Sequence, residues 1–248
     1  MKIAVTTIAW GKIRSKKAFI NVLKSIKDIG YDGVGIETRL LPKELLSNPK
    51  ELSDILSSIN IENAGAYSRM DINDIRWAVE SKTSVLWVVP RFKDCNEALS
   101  RLEDFTKTAI ANNVIPALHN HLRTCFETEE QVAKALDKIS ELYLCLDTAH
   151  AKAAGIDVVD FIERYHDRIS LVHIKDLRAQ IPKSKVRFKR DFVNVGKGII
   201  NFREIIDALH RSGYRGYLML EIEALSSDPL SEVREGFSII KSLMNEVE

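Results

Sequence analysis

The feature that most constrains this chain is an alternation sustained along its whole length. Short apolar runs rich in β-branched and aromatic residues are each followed by a longer stretch of helical periodicity. The runs are KIAVTTIAW, DGVGIE, NAGAY, SVLWVV, VIPALH, LYLCLD, ISLVHI and YLMLEI, eight in all. Continuous apolar runs of this length suit strands of a sheet covered on both faces, and crossovers of one hand wind such a sheet in one direction. Eight repeats then close it on itself. The expected fold is a single parallel (β/α)8 barrel, one domain over residues 1–248 with no linker or low-complexity stretch.

The intervening segments carry helix punctuation. From Ser15 to Ile29, residues Phe19, Val22, Leu23, Ile26 and Ile29 form one stripe that ends at Gly30, a helix with a glycine stop. Thr128 with Gln131 reads as a capping box, and Asn201 with Glu204 as a second cap. Two units depart from a minimal repeat: the third, Asp71 to Thr83, is short, and the seventh carries an insertion from Arg178 to Gly198. The insertion is the expected lid. Its run KSKVRFKR groups Lys183, Lys185, Arg187, Lys189 and Arg190, which suits either a clamp for a phosphate or carboxylate or a solvated loop.

Charge excludes some functions. Thirty-six basic and 35 acidic side chains leave a formal net charge of +1, too little to gather nucleic acid or an anionic membrane by its overall field. No run approaches the ~20 apolar residues of a membrane span, and the start shows no signal-peptide cleavage pattern. The expectation is a cytoplasmic protein that recognises a small molecule at a site, without nucleic-acid or membrane partners and with self-association through its helices open. Cys95, Cys125 and Cys145 are odd in number and not in CxxC spacing, so they read as reduced packing residues.

In a parallel barrel, ionisable residues matter most at the carboxyl ends of the strands, where the active site is built. Here they recur at those ends: Glu37 on the second strand, His119 and His121 on the fifth, Asp147 with His150 beyond it on the sixth, His173 and Lys175 on the seventh, Glu221 and Glu223 on the eighth. One such histidine alone is more often a hydrogen-bonded structural residue. Four of the six histidines sit at strand ends, however, and residues two apart share a face, so His119 with His121 and Glu221 with Glu223 can both point inward. Trp10 and Trp87 lie at or near the rim and are candidates to stack on a sugar face, with core packing the alternative for Trp87.

DGVGIE, LHNHLRT, CLDTAHAKAAG, HDRISLVHIKDL, VGKGIINFREIIDAL and GYRGYLMLEIE resemble, in order and spacing, the xylose isomerase-like TIM barrels. That superfamily includes sugar epimerases, hydroxypyruvate isomerases, inosose dehydratases and apurinic endonucleases. The resemblance implies one divalent ion held by His119, Asp147, His173 and Glu221, with His150, Glu37 and Lys175 next to the substrate. Most members offer Glu where this chain has His119, which puts a two-carboxylate epimerase mechanism in doubt. The His-x-His pattern with Thr124 and the following TEE is closest to the inosose dehydratase branch, as is His-Ile-Lys-Asp on the seventh strand.

Two imidazoles and two carboxylates would neutralise a divalent ion and leave positions open for a hydroxyl and a carbonyl oxygen, favouring Mn, Co, Zn or Fe(II) over Mg. Glu221 and His121 are the proton-transfer candidates. Lys175 either stabilises oxyanion charge or forms an ion pair with Asp176 or a strand-end carboxylate. The leading expectation is a metal-dependent sugar isomerase or epimerase, with an inosose dehydratase-type lyase as runner-up. A DNA-repair endonuclease would need extra histidines where this chain has Tyr67 and Val89; a non-catalytic sugar-binding barrel is the third class.

Overall fold

A computed structural model describes residues 1–225 and 227–247. Eight parallel strands close into the expected barrel: β1 (Lys2–Thr6), β2 (Gly33–Ile36), β3 (Glu62–Ser68), β4 (Val85–Val88), β5 (Ile115–His119), β6 (Tyr143–Asp147), β7 (Ile169–Ile174) and β10 (Tyr217–Leu220), with β10 pairing β1. Two further short strands, β8 (Asp176–Leu177) and β9 (Phe192–Val193), pair antiparallel inside the insertion. The helices are α1 (Lys16–Ile29), α2 (Lys43–Leu46), α3 (Pro49–Ile59), α4 (Ile72–Glu80), α5 (Cys95–Ala111), α6 (Glu129–Lys138), α7 (Thr148–Ala154), α8 (Val158–Tyr165), α9 (Phe188–Asp191), α10 (Phe202–Arg211) and α11 (Pro229–Val247). Among the described residues, no helix is long and apolar enough to cross a membrane.

The strands divide their side chains by parity. Leu118, Leu144, Leu146, Val172, Ile174, Leu218 and Leu220 face the helical layer, where one continuous apolar cluster fills the space. Ala117, Cys145, Leu171 and Met219 belong to a second, smaller cluster that fills the barrel interior with Trp87, Tyr67 and Val89. The next inward position after each of the first four is His119, Asp147, His173 and Glu221. A period of two therefore puts every candidate ligand just above the apolar floor. Gly35 shows how tightly that floor is filled, because a Cβ there would run into the Met219 side chain and approach Trp87.

Helix punctuation is largely as read. Gly30 ends α1 in the left-handed region at φ 115°, and Thr128 and Gln131 form a reciprocal capping box at α6. Asn201 occupies the position before α10, yet its side chain accepts no N–H from the first turn. The cap on the short third unit went unread: Asp71 and Asp74 box the start of α4.

One expectation is corrected, and one choice the sequence left open is narrowed. Cys95 and Cys125 are joined in a disulfide that ties the start of α5 to the loop after β5, because the barrel brings residues 30 apart in sequence together. Only Cys145 is free and buried, as a packing residue would be. The charges of the insertion do not converge on the barrel mouth: Lys183 pairs with Glu127 and Arg190 with Asp191. The insertion contributes its apolar residues, Val186 and Phe192 packing with Leu122, Ala149 and Leu177.

Asp176 anchors that insertion. Its fully buried carboxylate accepts the N–H groups of Leu177, Gly196, Gly198 and Ile200 at 2.8 to 3.1 Å. A side chain at Gly198 would collide with the Leu177 carbonyl and the Asp176 carboxylate. Asp176→Ala leaves these four N–H groups without their acceptor, the buried one of Leu177 and the part-buried ones of Gly196, Gly198 and Ile200, so unfolding by denaturant is expected to show a loss of about 2 kcal/mol or more. A loss below about 1 kcal/mol would mean the insertion is held by other contacts.

Candidate metal centre and substrate pocket

Adjacent strand ends bring the ionisable residues together. Asp147 pairs in register with His173, and His173 with Met219, two residues before Glu221. Asp147 Oδ2 lies 3.4 Å from His119 Nε2 and 4.0 Å from His173 Nδ1, and His173 Nδ1 lies 2.9 Å from Glu221 Oε2. One ligand atom from each of His119, Asp147 and His173 falls within 4.8 Å of the others. All four residues are buried.

Several polar atoms in this cluster have charged neighbours without an aligned hydrogen bond. His119 Nδ1, Asp147 Oδ2 and both nitrogens of His173 make no aligned hydrogen bond despite being shielded from water, an arrangement that costs free energy unless something else satisfies them. Asp147 is held in place by its own helix: it caps α7, Oδ1 accepting the His150 N–H at 2.8 Å and leaving Oδ2 towards the imidazoles. Burial pushes its carboxyl up, but Lys175, His150 and His119 outweigh burial and hold it well below the ordinary range. Burial lowers His119, favouring the neutral imidazole that coordinates a cation. The donor set fits a divalent metal ion.

Charge points the same way. Lys175 is fully buried, its Nζ 2.5 Å from Glu221 Oε1, 2.8 Å from Glu223 Oε1 and 3.1 Å from Asp147 Oδ2. Of its two expected roles the ion pair is the one present, with strand-end carboxylates and not with Asp176. Three carboxylates around one ammonium leave a deficit of two positive charges, which one divalent ion would supply.

His121 and His150 form a second pair, ring centroids 4.1 Å apart, and the backbone groups of Leu122 fix both tautomers. Its carbonyl can only accept, so His121 Nδ1, at 2.6 Å, carries the proton there. Its N–H donates to His150 Nδ1 at 3.0 Å, so that nitrogen is bare. His150 therefore carries its proton on Nε2, which has no partner, while His121 turns a lone pair outward. Burial, with His119 beside it, depresses His121 to about 3, and burial likewise holds His150 well below its ordinary value.

Above the centre lies a cavity of about 170 Å³, the size of a small sugar or cyclic polyol. Glu37, His119, His121, His150 and Glu221 line it, with Trp87 at its floor. Trp10 does not: it is half-buried against the apolar layer outside the barrel, and Ile8 takes the rim position. Glu223, read from the sequence as able to point inward, lines the cavity too, whereas Arg39, Tyr67, Arg91 and Phe188 were not read as lining residues. Phe188 is the insertion's contribution, meeting His121 and His150 edge-on. Glu37 is only 2% exposed, and its Oε2 accepts from Arg39 Nε at 2.7 Å. Burial and the Glu221 charge raise it to about 7.

The sequence pattern of the xylose isomerase-like TIM barrel family matches residues 88–243. The chain belongs to that family. Among curated relatives it is similar to the inosose dehydratase of Clostridium perfringens, 32% identical over 116 residues, covering 42% of this chain and 39% of that protein. The inosose dehydratase of Clostridium botulinum is 32% identical over 136 residues, 50% of this chain and 46% of that protein. The chain thus spans less than half the length of these relatives. Among solved structures, the fold is shared with the IOLI protein with a binding zinc atom, at TM-score 0.81 and 17% identity over 100% and 99% of the two chains. It is also shared with L-ribulose 3-epimerase, at 0.79 and 14% over 99% and 95%.

For this xylose isomerase-like barrel, elemental analysis after loading with zinc or cobalt(II) is expected to find one ion per chain. Asp147→Ala and His173→Ala should each lower affinity at least 100-fold, by about 3 kcal/mol or more. Full occupancy in both variants would put the ion elsewhere.

Proposed function

We propose that this protein is a metal-dependent lyase that removes water from a small keto-polyol. The carrying observation is a buried, charge-deficient His-Asp-His-Glu group beside a pocket carboxylate, Glu37, in which no described hydrogen bond engages Oε1. The ligands are His119, Asp147, His173 and Glu221. Two imidazoles among them favour Zn, Co, Mn or Fe(II) over Mg. When bound, the ion polarises the substrate carbonyl and acidifies the neighbouring C–H.

Glu37 is then the proton-transfer group. Both oxygens of Glu221 are engaged, one by Lys175 and one beside His173, and the His121 lone pair faces Arg91. The role expected of Glu221 and His121 therefore passes to Glu37. Its carboxylate takes the proton from the carbon next to the carbonyl, and the electron pair becomes the new carbon–carbon double bond as the β-hydroxyl leaves. The same proton, now on Glu37, accompanies that hydroxyl as water, and the carboxylate is regenerated. His150 Nε2–H donates to a substrate oxygen, and Phe188 and Tyr67 exclude solvent.

Isomerisation or epimerisation shares the first half of this chemistry and is the second reading. An epimerase requires a second proton-transfer group across the substrate, and the strand-five position that would supply it is His119, an imidazole of the metal group. The similarity to inosose dehydratases supports the same preference.

Proton NMR of the metal-loaded protein in D₂O with inososes and ketohexoses tests this. Loss of water with a new enol or diketone is expected; solvent deuterium in a retained carbinol without water loss would replace the lyase with an isomerase, and neither signal would overturn both. Glu37→Gln should keep the metal and lose at least about 100-fold in kcat, whereas Glu221→Gln should weaken metal binding first.

A further inference from the structure

Three cations border or underlie the cavity, and two are already neutralised: Lys175 by Asp147, Glu221 and Glu223, and Arg39 by Glu37. The third, Arg91, stands just past β4 and lines the same cavity. Among the described residues it has no carboxylate partner. Its one polar contact is to His121, Nη2 to Nε2 at 3.4 Å, where the bare nitrogen can accept a guanidinium N–H and aim the group. Beside His121, with ring centroids 4.1 Å apart and the planes tilted, is His150, whose buried Nε2–H has no acceptor among the described residues.

We infer that Arg91 and His150 form a carboxylate subsite, and that the substrate is a hydroxy-keto acid of a sugar or cyclic polyol. This rests on the reading of the pocket as a substrate site and names the class of compound it takes. A carboxylate presents two oxygens to a planar fork and a neighbouring N–H, the geometry in which guanidinium recognition is strongest. The tautomer that Leu122 imposes on His150 makes the ring a donor there, so it cannot repel an anion with a lone pair. One unpaired positive charge balances one carboxylate, whereas a phosphate monoester dianion would lack a second cation. With a cavity of about 170 Å³, the acid group and the keto-polyol frame share one compartment, carboxylate at the β4 and β5 side and ketone over the metal group.

Isothermal titration of the zinc-loaded protein with 5-keto-D-gluconate and L-sorbose tests this, since the two differ in a carboxylate replacing a hydroxymethyl group. D-fructose 6-phosphate is the phosphate arm. The keto acid is expected to bind at least about tenfold more tightly than the ketose. Arg91→Gln should bring the two affinities together, and Arg91→Lys, which keeps the charge but not the fork, should restore part of the gap. Equal affinities in the wild type, a gap that survives Arg91→Gln, tightest binding of the sugar phosphate, or no binding of any of the three would each overturn the subsite. The readout is affinity, so a carboxylate preference without water loss in the NMR assay would remove the lyase and keep the subsite, and water loss from neutral inososes alone would do the reverse.

Discussion

The cost of burying carboxylates organises the mouth of this barrel. Asp147, Glu221 and Glu223 would repel one another in a medium of low polarity, and Lys175 at 2.5 to 3.1 Å offsets only part of that repulsion. The remaining deficit falls on the side where His119 and His173 turn their nitrogens. A lysine that satisfied the whole group would have made the cluster a closed structural ion pair. By holding one oxygen of Glu221 and sitting beside Asp147, it instead leaves a cluster of donors that could hold a further cation.

The opposite wall is organised by a neutral device. One residue, Leu122, gives the two imidazoles beside its backbone N–H and carbonyl opposite tautomers, so His150 offers a proton where His121 offers a lone pair. Burial holds both below their ordinary titration range. The pocket thus has charged groups over the β6, β7 and β10 ends, an uncharged pair from the loop after β5 and the start of α7, and further charge from Glu37 with Arg39 and from Arg91. This division lets the strand-end cluster coexist with recognition that varies by loop.

Much of the fold was legible because closure of a parallel barrel needs only the alternation and its turns, and the parity of the apolar strands already turns His119, Asp147, His173 and Glu221 to one side. What was hidden depended on contacts between distant segments. Cys95 and Cys125 look like isolated apolar residues until α5 and the β5 loop are side by side. Phe188 is the one aromatic inside a basic run, and the charges around it drew attention to an anion clamp that the ion pairs with Glu127 and Asp191 dissolve. Arg91 follows an apolar run and a proline with nothing local to mark it, and Trp10 sits two residues past the inward position that Ile8 takes. Tautomers are invisible in sequence, since they turn on which backbone group of Leu122 meets which ring.

The junction of β7 and β8 links these parts. Lys175 and Asp176 are consecutive in extended chain, so they point to opposite sides: the ammonium enters the metal group and the carboxylate gathers the N–H groups of the returning insertion. Each fixes the other's backbone, because a shift that relaxed the four hydrogen bonds to Asp176 would also move Lys175 away from Glu221. Phe188 is presented by that same insertion against His121 and His150. The strand end that neutralises the buried carboxylates therefore also holds the aromatic cover of the pocket, and the electrostatics of the metal group and the shape of the cavity above it are set by one short length of backbone.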